Sequence, residues 1–507
     1  MARQKDSIKN LVFGLLGFIV TTILGIIIPR LFLISFGSEI NGLITSIKQI
    51  FAYFTLLEAG IGGATIQALY APMANRDKQR MNEIMAASNR FYKKTGVAYI
   101  AMVLLLALIY PFVVKSDIPK YITILIILFQ GESGAVKFFV SAKLRILLQV
   151  DGKSYILTNI ATMFTIFSNI ARIALMYGGA NVLAVQAVFC IVDILQVIII
   201  VIYTKKHYSW LDVKVKPDFK AVEQKNSVLV HQVSGLVFNN TDSIILTFFC
   251  GLKVVSVYSM YSLLFGMVAS VMDTVSTSVK FAMGQIFNTD RKKFEKIQDA
   301  YETYYLAVCF TLFTVAFIFI IPFLKLYTSG VKDIDYIDNR FAILFLVFEM
   351  LNYGRYPSNM IISFAGHFKQ TKNRAVLEAV INLTVSLICV PIFGLHGVLM
   401  GTIAALLYRT NDIIIYTNRT IMNRSPLKSY RRWVLNILLA VAFCFAGKLL
   451  PDSYNGYFEI ILYAAVTLVV VALVFLTVNS VFERKAAKTA VEYAVPIVRK
   501  VIKKNKT

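Results

Sequence analysis

Long apolar stretches separated by short polar segments dominate the chain. A hydrocarbon core of ~30 Å needs about 20 apolar residues per helix, and about fourteen stretches reach that length. The predicted spans lie at roughly 11–33, 41–70, 95–114, 121–148, 154–177, 181–203, 227–250, 254–281, 303–327, 340–365, 375–393, 397–418, 432–450 and 457–481. The pattern predicts an all-α, polytopic integral membrane protein.

The first twelve helices resemble two copies of one six-helix unit, offset by roughly 213–219 residues. Matched positions include Gly37 with Gly251, Glu58 with Asp273, Asp77 with Asp290, Glu132 with Glu349, and Lys137 with Arg355. An even helix count gives both copies the same orientation and leaves a cleft between them. We expect an N-lobe at 1–205, a cytoplasmic linker at 206–226, a C-lobe at 227–419, helices 13 and 14 at 420–482, and a basic cytoplasmic tail at 483–507.

The net charge of +24, from 52 Lys and Arg against 28 Asp and Glu, would suggest a nucleic-acid partner for a soluble protein. Here most basic residues lie in the termini and in the loops that follow even-numbered helices. Basic loops stay in the cytoplasm, so we predict that both termini are cytoplasmic and that no nucleic acid is bound. The tail from Arg484 to Lys506 is predicted to lie as an amphipathic helix on anionic membrane lipids.

The sequence lacks the motifs that indicate several classes of chemistry. The longest predicted outer loop, Thr328 to Asn339, is short and acidic, so no external domain is expected. The five cysteines fall in or beside apolar spans, and the four histidines are scattered, which predicts neither a metal nor a disulfide. The chain has no phosphate-binding G-x-x-x-x-G-K-[ST] loop. We therefore expect no cofactor, and energy that comes from a gradient or from the substrate.

Charged residues inside the predicted spans are the candidate functional groups. A central Lys, Arg or Asp costs ~2.5–3.5 kcal/mol on insertion scales, so it should face a bundle interior or a watery cavity. The candidate substrate-binding cations are Lys48, Lys137, Arg172, Arg355, Lys280 and Arg30. The candidate coupling or gating acids are Glu58, Asp242, Asp273, Glu132 and Glu349.

Two other interpretations apply to some of these charges. Paired charges can hold helices together, which is the interpretation we favour for Arg409 and Asp412, three residues apart on one helix. Lys280 and Arg30 lie near predicted helix ends and could extend toward the interface.

Five sequence runs resemble one transporter family. They are Phe36 to Leu43, Leu56 to Gly63, Asn240 to Leu246, Val257 to Tyr261, and the run Ala-Leu-Leu-Tyr-Arg-Thr-Asn-Asp at 405–412. Their order and spacing are similar to those of the bacterial lipid-linked oligosaccharide flippases. These polysaccharide-biosynthesis proteins (O-unit or sugar translocases) belong to the multidrug/oligosaccharidyl-lipid/polysaccharide (MOP) exporter superfamily.

The resemblance implies twelve helices in two lobes, plus two more, in the bacterial cytoplasmic membrane. It implies a functional monomer that moves an undecaprenyl-diphosphate-linked oligosaccharide from the inner to the outer leaflet by alternating access. The product would feed O-antigen or capsule synthesis alongside other polysaccharide-assembly membrane proteins. A cationic cavity between the lobes would attract the diphosphate.

Three other functions compete with this one. A cation-coupled drug antiporter of the same superfamily usually has twelve helices and a carboxylate site, whereas many buried charges here are cations. A glycan polymerase or ligase generally needs a large external loop, so we expect no enzyme. A scaffold would leave the buried charges unexplained. The sequence leaves Na⁺, H⁺ and membrane potential open as energy sources, and we hypothesise that the potential suffices.

Overall fold

The computed structural model describes residues 2–58, 61–222 and 226–493, and their side chains except at 2–16, 18, 19, 222, 226–232 and 239. These residues form α-helices and no strand. The helices are α1 (Ala2–Phe54), α2 (Ile61–Asn75), α3 (Lys78–Val113), α4 (Lys120–Val136), α5 (Ala142–Val150), α6 (Ser154–Tyr177), α7 (Val182–His207), α8 (Asn226–Phe249), α9 (Leu252–Thr289), α10 (Arg291–Tyr327), α11 (Asn339–Gly354), α12 (Tyr356–Phe364), α13 (Phe368–Phe393), α14 (Leu395–Tyr416), α15 (Leu427–Ala446) and α16 (Tyr457–Phe482). A further helical segment covers 484–493.

In the residues that the structure describes, each predicted span falls on a helical stretch, and the protein is an all-α, multi-pass membrane protein. By length and composition, 11 helices among the described residues can cross a membrane. Three predicted spans are not counted as separate helices among these: 41–70, 227–250 and 340–365. The first continues the stretch Val20–Glu58, the second includes undescribed side chains, and the third is broken between α11 and α12. The count of fourteen stays a prediction.

Gly37 separates the first two predicted spans within α1. Its φ of 79° and ψ of 175° interrupt the helix in a conformation that favours glycine. The chain beyond it is held by Asp333, which accepts a hydrogen bond from the Ser38 amide at 2.9 Å and one from the Ser38 hydroxyl at 2.6 Å. The boundary between the predicted spans 11–33 and 41–70 is therefore a kink inside one long helical element.

Two aspartates from the matched loops start the following helices. Asp77 caps α3 by accepting from the Arg80 amide at 2.9 Å, and Asp290 caps α10 by accepting from the Lys293 amide at 2.9 Å. These helices begin well before the predicted starts at 95 and 303. Most of the stretch between the predicted spans 41–70 and 95–114 is therefore helical and is not a loop, because the capped helix α3 extends beyond its apolar part.

One compact unit comprises residues 1–257 and 330–334. Its core includes Leu43, Ile126, Leu147 and Val185, all fully buried. Lipid is as apolar as these side chains, so close packing and hydrogen bonds must supply much of the helix association. Ser46 is one such link, because it accepts from Tyr110 at 2.9 Å and from Thr247 at 2.8 Å.

The second compact unit comprises residues 258–329 and 335–507. Phe265 and Phe345 stack in its core with ring centroids 5.5 Å apart. Helices α13 and α14 approach so closely that a Cβ on Gly401 would lie 2.6 Å from the Ser386 amide nitrogen. The predicted lobe boundaries at 205 and 227 differ from the change of unit at Val257 and Tyr258, and the division into lobes stays a prediction.

Candidate functional site

Glu58 and Lys137 meet where two helical stretches lose regular α-helical geometry. Glu58 ends the 3-10 turn Thr55–Glu58, and Lys137 begins a π-helical segment, Lys137–Ser141. The Lys137 ammonium lies 3.1 Å from the Glu58 carboxylate, which also accepts a hydrogen bond from Tyr92 at 3.0 Å. The Lys137 side chain remains 41% exposed and that of Glu58 23%. A predicted substrate cation and a predicted coupling acid are thus partners.

Other charges of the same unit lie near this pair. Arg145, which the sequence analysis did not select, is within electrostatic reach of Asp193 and Glu58. Glu132 accepts a hydrogen bond from the Cys190 thiol at 3.4 Å, while its other carboxylate oxygen is buried without a hydrogen-bond partner. The only sequence signal for Arg145 was its charge within an apolar span.

Lys48 and Arg172 form a second arrangement, in which both charges are positive. They lie close enough for their charges to repel each other. The Arg172 guanidinium is 5.6 Å from the ring centroids of Phe32 and Phe189, and its buried Nε atom has no hydrogen-bond partner. Within the described part of the chain, no carboxylate forms an ion pair with either residue. The pair is therefore suited to an external anion.

Arg30 and Asp242 complete the predicted residues of the first unit. Arg30 is half-buried on α1, and Asp242 is buried on α8. Asp242 lies within electrostatic reach of Tyr53, whose hydroxyl forms a hydrogen bond with Thr241 at 2.5 Å. Helices α1 and α8 pack against each other, so Asp242 lies on a helix contact within the unit.

In the second unit, two predicted acids approach each other. Asp273 is exposed on α9 and accepts a hydrogen bond from Tyr353 at 3.2 Å. Glu349 is buried on α11, lies within electrostatic reach of Asp273, and has one carboxylate oxygen without a hydrogen-bond partner. Lys280 lies two helical turns beyond Asp273 and is exposed.

Arg355 lies at the junction of α11 and α12 in a network of charges. It donates to Glu378 at 2.5 Å and to Asn352 at 3.2 Å. The Arg409 Nε atom lies 3.4 Å from Glu378, and the Arg409 guanidinium also contacts Asp412 at 2.6 Å. Arg374 pairs with Asp412 as well. Three arginines and two acids therefore join the α11–α12 junction to α13 and α14.

The network confirms the i,i+3 pair between Arg409 and Asp412. It also contains Glu378 and Arg374, which the sequence analysis missed. Glu378 could have been noticed as an acid inside the predicted span 375–393, but nothing along the chain indicated its partner. Arg355 still has a half-buried guanidinium, so a contact with substrate is compatible with this geometry.

The helix order and these positions can be compared with known proteins. No protein-family model and no curated protein matches the chain. Solved structures do match. The lipid II flippase MurJ, in an inward closed conformation, has a TM-score of 0.64 at 15% identity over 94% of this chain and 99% of that one. This chain therefore has the fold of that flippase structure.

Two MATE transporter structures extend the comparison. An inward-facing multidrug resistance MATE family transporter of the MOP superfamily has a TM-score of 0.57 at 15% identity, over 79% of this chain and 95% of that one. A Vibrio cholerae MATE transporter has a TM-score of 0.55 at 10% identity, over 84% and 99%. These structures confirm the fold that the sequence resemblance implied.

Among the residues that the structure describes, no group of three or more His, Cys, Asp or Glu side chains could hold a metal ion. Parts of the predicted organisation lie outside the described residues: Ala59 and Gly60 of the second resembling run, residues 223–225 of the predicted linker, and the basic tail from residue 494 onward.

Proposed function

We propose that the protein flips an undecaprenyl-diphosphate-linked oligosaccharide from the inner to the outer leaflet of the bacterial cytoplasmic membrane by alternating access. The observation that carries the proposal is the Lys48–Arg172 pair. Two cations that repel each other, without a carboxylate partner among the described side chains, are stabilised when an anion binds. A diphosphate presents oxygen acceptors for both the ammonium and the guanidinium.

The surroundings of Arg172 suit a glycan as well as a phosphate. The Arg172 guanidinium lies 5.6 Å from the ring centroids of Phe32 and Phe189, and its Nε donor has no hydrogen-bond partner and can bind an oxygen acceptor. The Glu58–Lys137 pair of the same unit is only half-buried, so its polar atoms can exchange partners with sugar hydroxyl groups. We propose that Lys48 and Arg172 bind the diphosphate and that Lys137 is released from Glu58 during the cycle.

The polyprenyl chain requires an apolar surface. A groove of about 420 Å³ within the second unit lies between α10, α11 and α15. Phe310, Val347, Trp433 and Val441 are among its lining residues, and its lining is almost entirely apolar. We propose that this groove is one place where part of the isoprenoid chain can lie during transport.

One observation favours a cation-coupled antiporter instead. Glu349 has a buried oxygen without a hydrogen-bond partner and is close to Asp273, an arrangement that could bind a proton or a monovalent cation. The fold serves both functions, because both MurJ and MATE transporters share it. The cationic pair in the first unit favours the anionic lipid as the substrate.

The test is a flipping assay in proteoliposomes with a fluorescent polyprenyl-diphosphate oligosaccharide. Neutralising one charge of a charge-assisted pair typically removes about 1.5–3 kcal/mol, so Lys48→Ala or Arg172→Ala should slow flipping at least roughly tenfold. Lys48→Arg should retain most activity. Lys214→Ala removes an exposed cation from the loop after α7 and should leave the rate unchanged. Equal rates in all four variants would exclude this pair as the diphosphate site.

A further inference from the structure

A second basic surface lies at the face that the charge pattern predicts to be cytoplasmic. A groove of about 740 Å³ runs between the start of α10, the start of α15 and the segment 484–493. We call it the basic groove. Its cationic lining residues are Lys296, Lys428, Arg431, Arg484, Lys485 and Lys488. It is separate from the charges considered above, and no step of the proposed transport uses it.

Two of the three acidic residues in the basic groove form ion pairs with cations. Asp299 pairs with Arg424 at 2.7 Å and also with Lys428 and Arg432, while Glu483 pairs with Arg431 and with Arg432. Glu492 is the remaining acid in the lining. The internal ion pairs thus use Lys428 and Arg431 and leave the positive charge of the other lining cations largely uncompensated.

Three of the four uncompensated cations lie close together on one helical segment. Arg484, Lys485 and Lys488 are exposed. Lys488 lies four residues after Arg484 and three after Lys485, which places it beside both of them on the surface of the segment 484–493. Lys296 approaches from α10 across the groove and is also exposed. This geometry surrounds a bound anion with donors from two directions.

Apolar side chains border these cations at the end of α16. Val481 and Phe482 line the same groove and are 56% and 60% exposed. A free phosphate would gain nothing from them, whereas an amphiphile could contact both surfaces. The combination of adjacent cations and exposed apolar residues at a membrane helix end is suited to an anionic lipid.

We propose that the basic groove binds the phosphate headgroup of an anionic phospholipid of the inner leaflet, with its acyl chains against Val481 and Phe482. The proposal rests on the predicted orientation and is independent of the transported substrate. The bound lipid would join α10 to the tail segment by bridging Lys296 and the tail cations.

The test uses full-length protein in a nonionic detergent, titrated with short-chain phosphatidylglycerol while binding is followed by microscale thermophoresis. Each basic residue near a membrane surface is worth roughly fivefold in affinity, so Lys485→Gln/Lys488→Gln should weaken binding about thirtyfold. The matched control, Lys214→Gln/Lys216→Gln, removes two exposed cations from the loop after α7 and should bind like the original protein. Lys485→Arg/Lys488→Arg should also retain binding.

Three results would overturn the proposal. Equal weakening in the groove variant and the loop control would mean that the lipid responds only to net charge. Competition by inorganic phosphate at the lipid concentration would indicate a free-anion site. Equal binding of phosphatidylcholine would indicate an apolar surface alone. If the double glutamine variant does not fold, Lys296→Gln tests the same groove from α10 and should weaken binding about fivefold.

Discussion

The Lys137 ammonium lies 3.1 Å from the Glu58 carboxylate, and each residue stands where its helical stretch departs from α-helical geometry. Such irregular turns allow a local change of helix path at a lower cost than a regular helix does. The ion pair therefore joins two segments that can bend. An anionic substrate near Lys137 would compete with Glu58 for the ammonium, which links substrate binding to these two bends.

This link predicts energetic coupling between the two charges. Glu58→Gln and Lys137→Gln should each slow flipping. The free-energy effect of the double variant on the flipping rate should be smaller than the sum of the two single effects. For a half-exposed pair the coupling energy should be roughly 0.5–1 kcal/mol. Tyr92→Phe, which removes only the hydroxyl donor to Glu58, should have a smaller effect. Additive losses would show that the pair does not act as a unit.

Arg355 should contribute strongly to stability through Glu378. Arg355→Ala leaves a largely buried carboxylate with one fewer cation, and breaking such a pair typically costs about 3–5 kcal/mol. Arg374→Ala is the matched control, because Arg409 still pairs with Asp412, and it should cost under about 1 kcal/mol. Unfolding by SDS titration in mixed micelles measures both losses.

The same series separates stability from substrate binding. Arg355→Ala/Glu378→Ala should be more stable than Arg355→Ala alone, because Arg409 retains Asp412 as a partner. If Arg355 binds substrate as predicted, the double variant will be folded but slow in the flipping assay. A folded double variant that flips at the original rate would make Arg355 purely structural.

Arg432 should be among the most sensitive positions in the second unit. Its side chain is 0% exposed and contacts Glu302 at 2.6 Å, Asp299 at 3.2 Å and Glu483 at 3.4 Å. Arg432→Ala leaves these acids without their shared cation and should destabilise the protein by about 3–5 kcal/mol. The neighbouring Arg431 is 62% exposed, and Arg431→Ala should cost under about 1 kcal/mol. Equal losses of stability in Arg432→Ala and Arg431→Ala would show that the burial of Arg432 does not set its contribution.

The predicted orientation can be measured directly. Ser116, Ser209, Asn288 and Ser453 are all exposed, so a cysteine at each position can react. In a background without the five native cysteines, an impermeant thiol reagent should label Ser116→Cys and Ser453→Cys in intact cells. Ser209→Cys and Asn288→Cys should be labelled only after lysis. Labelling of Asn288→Cys in intact cells would contradict cytoplasmic termini.

The sequence predicted the helices better than it predicted which charged side chains pair with each other. The span at 154–177 coincides with α6, because its apolar run ends at polar or glycine residues on both sides. The helix starts at Lys78 and Arg291 were missed because capping by Asp77 and Asp290 extends those helices beyond their apolar segments. Hydropathy reports only the part of a helix that is apolar.

The pairing of the buried charges could not be predicted in the same way. Glu58 meets Lys137, and Arg355 meets Glu378, because helices that are distant in the sequence pack together. Charge and depth identified three of these four residues as candidates. They did not indicate which cations have carboxylate partners, and that distinction is what selects Lys48 and Arg172.

The central claim is that the transported molecule is an anionic, lipid-linked glycan. The most direct measurement uses purified protein in proteoliposomes, with a fluorescent polyprenyl-diphosphate oligosaccharide and a cationic dye as alternative substrates at matched pH and Na⁺. A unit charge that crosses 100 mV gains about 2.3 kcal/mol, so an imposed potential, negative at the cytoplasmic face, should accelerate outward flipping of the glycan lipid. The dye should not be exported. Export of the dye in exchange for H⁺ or Na⁺, without movement of the glycan lipid, would contradict the account.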